Sequence, residues 1–346
     1  MKYLYTLVLS GILTTARTQN ITNLVFEGAG IRGIAYCGAI TQMEANGMMN
    51  QVKRVGGTSA GAITALALSV GYTGRELEQI TASTNFKKFN DGRFTVAGGL
   101  NRLSKYFGWY RSREFDEWLG KIISKKTGNA NITFAQLHEQ GKYKELFVTG
   151  TSLNQQKTII FSHEHYPNMK IRDAVRISMS IPLYFEAVFM DEQGNTFYHP
   201  KDKKGLQVMV DGGFLANYPL WLFDSTRYRQ NVTGTNIFTA NSETLGFRID
   251  REEQIELDRQ GINQLAPLQV TDIKQYLEAF MLLMVESINR PQQLPEDRLR
   301  TVSIADGKLG SRIRKLKPEE VNRLINNGKK AVKQFADKSK TETKSQ

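Results

Sequence analysis

The five residues Gly57-Thr58-Ser59-Ala60-Gly61 constrain this chain more than any other stretch. An apolar, strand-like approach through Val52 and Val55 runs into them, and an apolar helical run over residues 62–70 follows at once. A G-x-S-x-G sequence between a strand and a helix reads as a nucleophile elbow. The turn is sharp and strained, it throws the serine hydroxyl outward, and small flanking residues avoid the clashes that a Cβ would cause. The helix N-terminus beneath the serine favours negative charge developing there. Alone, the motif is weak: with 29 glycines in the chain, a chance match is expected in roughly one of every eight such chains. A glycine-rich turn that merely packs a helix on a strand is the alternative.

A second glycine-rich turn precedes it. Asn23-Leu24-Val25-Phe26-Glu27 reads as a short buried strand, followed by Gly28-Ala29-Gly30-Ile31-Arg32-Gly33 and a helix over about residues 34–46. Strand, glycine loop, helix aims backbone N–H groups at an anion. One reading is a dinucleotide fingerprint, but the acidic residue expected about 20 residues on is missing. That zone holds Asn50-Gln51-Val52-Lys53-Arg54 and then the serine turn. The serine some 30 residues later favours an oxyanion hole, a nest of N–H donors for a tetrahedral intermediate. A tight strand-to-helix turn with no chemical role is the third reading.

These two motifs in this order, Glu27-Gly-Ala-Gly-Ile-Arg-Gly33 and then Gly57-Thr-Ser-Ala-Gly61, resemble the patatin-like phospholipases. Ala29 stands where that family often has glycine. The resemblance implies a third motif, Asp-Gly-Gly or Asp-Gly-Ala, after a later strand. Gln207-Val208-Met209-Val210 reads as a buried strand and ends in Asp211-Gly212-Gly213. The serine-rich turn Ser178-Met179-Ser180-Ile181-Pro182 before it is also similar. The likeness covers about residues 21–225. It implies a three-layer α/β/α fold with a central, mostly parallel sheet. It further implies a lipid acyl hydrolase, phospholipase A-like, with Ser59 as nucleophile and Asp211 as proton acceptor. The loop residues Gly28, Gly30, Ile31, Arg32 and Gly33 would form the oxyanion hole, framed by Gly57, Thr58, Ala60, Gly61, Gly212 and Gly213. No cofactor or metal is expected. The expected substrates are phospholipids or other acyl-ester lipids at a membrane surface, with no nucleic acid. A need for an activating protein is left open.

The residues themselves bear on the base. Serine needs a proton acceptor, and none of the four histidines, His138, His163, His165 and His199, sits in a setting that recommends it. Asp211, at the carboxyl end of a buried strand, is where α/β sheets place their sites. Against it stands the bland role of a turn or helix-capping aspartate. Asp91 and Asp306 also precede glycine, but neither ends so clear an apolar strand. Arg32 would orient the loop, contact a substrate phosphate or form a plain ion pair. The rival classes are an α/β-hydrolase with a Ser-His-Asp triad, a dinucleotide oxidoreductase, and a non-enzymatic basic lipid- or nucleic-acid-binding protein. The first lacks its final histidine, the second leaves Ser59 and Asp211 unexplained, and the third explains only the charge.

That charge is +12 over 346 residues, which favours acidic partners. The single cysteine, Cys37, excludes an internal disulfide and reads as a small core residue. Residues 1–16 read as a signal peptide with cleavage near Ala16 (Lys2, an apolar run, then Thr14-Thr15-Ala16), which implies export; the alternative is an N-terminal strand or tail of a cytoplasmic, membrane-peripheral protein. Residues 86–110 are basic and aromatic without a clean period. They read either as a lid that meets acyl chains or as an ordinary packed loop. Beyond residue 225 the sequence implies a continuation of the same domain to about 337. Its elements are strands near 245–249 and 300–304, a long apolar helix over 271–288 and a helix from Pro318. Residues 311–346 carry 11 Lys/Arg against 4 Asp/Glu, so a solvated helix and a disordered basic tail over 338–346 are expected there.

Overall fold

Alternation explains the first strand. In β1 (Asn23–Phe26), Leu24 and Phe26 face the larger of two apolar cores and Val25 faces the smaller, the period of two that a strand with both faces covered requires. The computed structural model of the protein describes residues 20–92, 96–229 and 240–342. The proposed signal segment, Phe94 and residues 343–346 lie outside them.

The sheet is mixed. Strands β1, β2 (Arg54–Gly57), β4 (Glu145–Ser152), β10 (Thr244–Asp250) and β11 (Thr301–Ala305) run parallel in the order β11-β10-β1-β2-β4. Beyond β4 the pairing turns antiparallel, through β5 (Lys157–Phe161), β7 (Val188–Met190), β8 (Thr196–Phe197) and β9 (Gln207–Asp211). A separate two-stranded sheet joins β3 (Gly108–Tyr110) to β6 (Leu183–Phe185).

Helices α1 (Ala35–Ala45), α2 (Ala60–Ser69), α3 (Gly74–Ser83), α5 (Arg113–Thr127), α6 (Phe134–Glu139) and α7 (Ile171–Ser178) contribute to the larger core. The second face is covered by the turns Leu220–Phe223 and Thr226–Tyr228. α8 (Gly213–Ala216) lies between β9 and these turns, and α9 (Glu252–Arg259) and α10 (Ile273–Asn289) lie between β10 and β11. α10 is tied to the second face by Glu286, which accepts from Arg248 of β10 at 2.7 Å. Where the sequence shows a cap the helix starts on it: Thr73 and Thr133 each close a capping box, with Glu76 and Gln136.

The last helix, α11 (Pro318–Glu342), lies against α1 at a glycine crossing. A side chain on Gly38 would collide with the Ile325 carbonyl, and one on Gly328 with the Ala35 carbonyl. Small residues let the two backbones approach where any larger one would hold them apart. α11 also corrects one expectation. It continues five residues past 337, because Lys338-Ser-Lys-Thr-Glu342 contains neither glycine nor proline to stop it.

The described parts of residues 86–110 are more ordered than their irregular period suggested. Phe86–Phe89 forms a 3-10 turn, α4 (Ala97–Tyr106) follows, and β3 closes the stretch. Phe89 is buried and meets Phe115 and Trp118 ring to ring, with Phe86 beside them. These aromatics make a core cluster rather than a greasy surface.

Candidate active site

β2 delivers Ser59 into a backbone conformation that few non-glycine residues adopt, φ 54° and ψ −122°. Nothing is left for α2 but to start immediately, with Gly61 against the end of β1. A Cβ on Gly61 would strike the carbonyl of Phe26, so the elbow needs glycine there for close approach rather than for flexibility. The Ser59 N–H donates to Ser178 Oγ at 2.8 Å, and its Oγ lies 3.4 Å from Met179 Sδ. The residue is 6% exposed.

Asp211 reaches the same spot from the opposite direction. On β4, Val148 pairs with both Gly57 and Phe161, and Gly150 pairs with both Asp211 and Ile159. β5 therefore holds one edge of β4 throughout, and β2 and β9 share the other. Running in opposite senses, they meet carboxyl end to carboxyl end across Thr149. Thr149 Oγ1 lies 2.6 Å from Thr58 Oγ1, whose hydroxyl also donates to the Ala216 carbonyl at 2.6 Å. The turn 178–180 holds both ends. Ser178 takes the Ser59 N–H, and the Asp211 N–H donates to the Ser180 carbonyl at 2.9 Å.

The Asp211 carboxyl is 5% exposed. Burial pushes its pKa up to about 7, against the opposing pull of the Gly213 N–H, 2.7 Å from Oδ1, and of the Ser59 hydroxyl. A carboxyl poised near neutrality can accept a proton and give it back. Since only the carboxylate can accept, activity toward a soluble ester should rise with pH through a single ionisation near 7 and level off above it. A kcat/KM profile between pH 5 and 9 measures this, and a flat profile would separate Asp211 from proton transfer.

The glycine loop is tightly held, and this narrows its donors. Gly28 donates its N–H to the Asn217 carbonyl at 2.9 Å, Ile31 to the Ser311 carbonyl at 3.1 Å, and Arg32 to the Ala29 carbonyl at 3.3 Å. Gly33 lies inside the 3-10 turn Gly30–Ile34. The N–H groups of Ala29 and Gly30 meet no acceptor among the described residues. Of the loop residues expected to line an oxyanion hole, Gly28, Ile31 and Arg32 donate their N–H groups to the scaffold, so the N–H groups open to an anion at the start of the loop are those of Ala29 and Gly30. The Arg32 side chain orients this loop, its Nε donating to Ala29 O at 3.2 Å and its Nη1 lying 3.7 Å from Asp306.

Asn217, six residues after Asp211, ties the motifs together. Its Nδ2 donates to the Gly28 carbonyl at 3.2 Å, and its N–H donates to Asn289 Oδ1 at 2.5 Å. Asn289 closes α10 and donates in turn to the Gly213 carbonyl at 3.2 Å. Beneath the loop lies a buried charge cluster. Arg248 approaches Glu27 at 3.4 Å, Asp250 at 2.6 Å and Glu286 at 2.7 Å. Burial, opposed by Arg248, holds the Glu27 carboxyl well above the usual range. Met179, Ser178, Ser180 and Asn217 were not singled out one by one from the sequence. The serine-rich turn before Pro182 was the only signal for Ser178, Met179 and Ser180, and the run that follows Asp211-Gly212-Gly213 the only one for Asn217.

The histidines are engaged elsewhere. His165 bonds Ser162 at 2.9 Å and His199 bonds Glu186 at 2.7 Å. His138 and His163 approach the two oxygens of Glu145 at 2.5 and 2.7 Å. Among the described residues, this trio is the one group of three His, Cys, Asp or Glu side chains gathered closely enough to hold a metal. Its two rings stack face to face at 4.0 Å, 6° from parallel. A metal lies in the plane of each ligating ring, so these two, as placed, do not share one ion. Asp91 caps the start of α5 through the N–H groups of Arg113 and Glu114. Cys37 is buried and its thiol is pushed up to about 11 by burial.

The sequence profile of the Patatin-like phospholipase family matches residues 24–224. An uncharacterised protein of Acanthamoeba polyphaga mimivirus is 32% identical over 208 residues, covering 60% of this chain and 62% of the relative. Uncharacterised protein YqhO of Bacillus subtilis (strain 168) is 31% identical over 215 residues, 59% of this chain and 67% of the relative. The chain thus spans between 62% and 67% of the length of these two relatives. The crystal structure of VipD from Legionella pneumophila shares the fold, with a TM-score of 0.55 at 17% identity over 92% of this chain and 67% of that one.

Proposed function

This chain belongs to the patatin-like phospholipase family, and we propose that it hydrolyses carboxylic esters of phospholipids through Ser59 and Asp211. The observation that carries this reading is the end-to-end meeting of β2 and β9 on one edge of β4, which brings a strained serine to a buried carboxyl. In the first step Ser59 Oγ bonds to the ester carbonyl carbon while Asp211 takes the hydroxyl proton. The carbonyl oxygen becomes an oxyanion, and the N–H groups of Ala29 and Gly30 stabilise it. The C–O bond to the glycerol side then breaks, Asp211 returns the proton to the departing alkoxide, and an acyl-serine remains. A water then bonds to the acyl carbon while giving a proton to Asp211, the bond from that carbon to Ser59 Oγ breaks, Asp211 returns the proton to Oγ, and the fatty acid leaves with Ser59 restored. The protonated interval suits a carboxyl with a pKa of about 7, since neither direction of transfer is steeply uphill near neutral pH.

The test is product analysis. Mixed phospholipids incubated with the protein should yield free fatty acid and lysophospholipid, and the Ser59→Ala variant should yield neither above background. Fatty-acid release that survives Ser59→Ala would place the chemistry elsewhere. The positive net charge and the leader-like residues 1–16 favour an exported enzyme acting on anionic lipid. Recovery of the whole chain, beginning at Met1, from the cytosol would overturn that part.

A further inference from the structure

Helix α10 is built inside out. Its inward face carries polar residues: Glu286 in the charge cluster, and Asn289 bonded to Gly213 and Asn217. Its outward stripe is apolar: Ile273 is 72% exposed, and Tyr276, Leu277, Phe280 and Leu283 each about half exposed. Their spacing of three and four puts them along one side of the helix. A contiguous apolar strip of this kind marks a surface that something covers.

Beside it runs a stretch without acids. Residues 308–317 hold Lys308, Arg312, Arg314, Lys315 and Lys317, and all but Arg314 are exposed. Arg314 is paired with Glu320 at 2.8 Å. The stretch borders α10, since Gly310 faces the Glu278 carboxylate. It also lies on the glycine loop, through the Ser311 carbonyl and the Ile31 N–H. At its far side the charge of Arg312 acts on Tyr184, whose neighbour Leu183 is 68% exposed. Exposed apolar side chains and exposed cations thus lie together beside the glycine loop that adjoins the nearly buried Ser59.

We propose that the outward stripe of α10 and the basic stretch 308–317 form one docking surface for an anionic lipid bilayer. The proposal rests on the lipid-hydrolase reading above and names the surface through which that site meets its substrate. Charge decides for this occupant. Apolar groups enter the acyl boundary while flanking cations meet anionic headgroups. A second copy packed on the same patch about a two-fold axis would set Lys308, Arg312 and Lys315 against their own counterparts. Position agrees, because the last residue of α10 is bonded to the segment that follows Asp211. In the aromatic stretch 86–110, Phe86 and Phe89 are packed inward, and the exposed Val96, Leu100 and Phe107 form no stripe with the stretch 308–317.

The test uses the full chain bearing Ser59→Ala, so that binding is read without turnover. Vesicles of phosphatidylcholine with phosphatidylglycerol, and of phosphatidylcholine alone, are sedimented with it. Binding should favour the anionic vesicles and weaken with salt. Arg312→Gln with Lys315→Gln should weaken it roughly 25-fold, at about fivefold per cation. Leu277→Glu with Phe280→Glu should abolish it. In the Ser59 background, the latter pair should keep hydrolysis of a monomeric short-chain ester within about twofold while vesicle hydrolysis collapses. Unchanged vesicle binding by both variants overturns the proposal. So does an equal loss on the monomeric ester, or a dimer in sedimentation velocity that Leu277→Glu with Phe280→Glu dissociates. Vesicle docking by a wild-type protein that releases no acyl chains would leave this surface standing and defeat the hydrolase reading. Acyl release untouched by these substitutions would do the reverse.

Discussion

Asp211→Asn is expected to abolish ester hydrolysis almost as completely as Ser59→Ala, with the double variant little worse than either single one. Asn keeps the shape of the side chain and can still accept from Gly213, but it takes no proton. Losing a positioned base costs on the order of a hundred- to ten-thousandfold in rate, and residues acting as one unit give non-additive losses. The four His→Ala variants should each retain most activity, because none of the four rings contacts Ser59 or Asp211. The same Asn should stabilise the fold. The folded-state pKa of Asp211 is raised from 3.8 to about 7 by burial. A raised pKa contributes stability that is fully present below the unfolded value and lost as pH rises through the folded one. At about 1.4 kcal/mol per tenfold, the buried anion costs up to about 4 kcal/mol above pH 7, and Asn never becomes an anion. Thermal melts at pH 8 and pH 4 should show a higher Tm for Asp211→Asn at pH 8 and a smaller gap at pH 4. An inactive variant that melts lower at pH 8 would mean that Asp211 is chiefly a structural ion.

Arg248→Met should be the most damaging substitution away from the reacting atoms. Arg248 is buried, and its guanidinium is the shared cation of Glu27, Asp250 and Glu286. Met fills much of the volume but leaves the three carboxyls without that cation, and breaking a buried pair from one side typically costs 3–5 kcal/mol, about half of a domain's stability. The loss should depend on pH in a defined direction. Glu27 already sits above the usual carboxylate range in the folded protein through burial. Removing Arg248 takes away the charge that lowers it, so its pKa rises further. The variant is then least impaired at low pH, where Glu27 is protonated, and falls away as pH rises. Urea unfolding at pH 5 and pH 8 reads this as a deficit larger at pH 8. Because Glu27 adjoins Gly28, a folded remnant should also be slow on soluble esters. Wild-type stability at pH 8 would show that the cluster is solvated and contributes little.

How much of this was legible in the sequence depends on the range of the interactions involved. Strand, glycine loop and helix around Gly28–Gly33 are local, set by apolar runs and punctuating glycines, and were readable residue by residue. The capping boxes at Thr73 and Thr133 are equally local, each set by a threonine and the Glu or Gln three residues on. The pairing of Ser59 with Asp211 came from an ordered set of motifs. The reason for it, a shared edge of β4, is a matter of register between segments more than fifty residues apart and leaves no local mark. The division of N–H groups in the glycine loop was also hidden. Gly28 and Ile31 lose theirs to Asn217 and Ser311, partners that no spacing rule connects. The inversion of α10 was half visible. The apolar run was plain, but a buried helix and one with its apolar side outward read alike until the contacts of Glu286 and Asn289 are known.

One consequence of the meeting on β4 concerns how such a site can vary. Ser59 and Asp211 are 152 positions apart in the chain (211 − 59), yet their separation in space is fixed by the two residues of β4 that hold their strands, Val148 and Gly150. The connecting segments can lengthen, shorten or exchange their helices without altering that gauge. A single-residue slip within β4 is another matter. It would turn Thr149 to the opposite face and shift the ends of β2 and β9 relative to one another. The reaction centre is thus tolerant of large edits in its loops and intolerant of a frame change in one strand that supplies no reacting group.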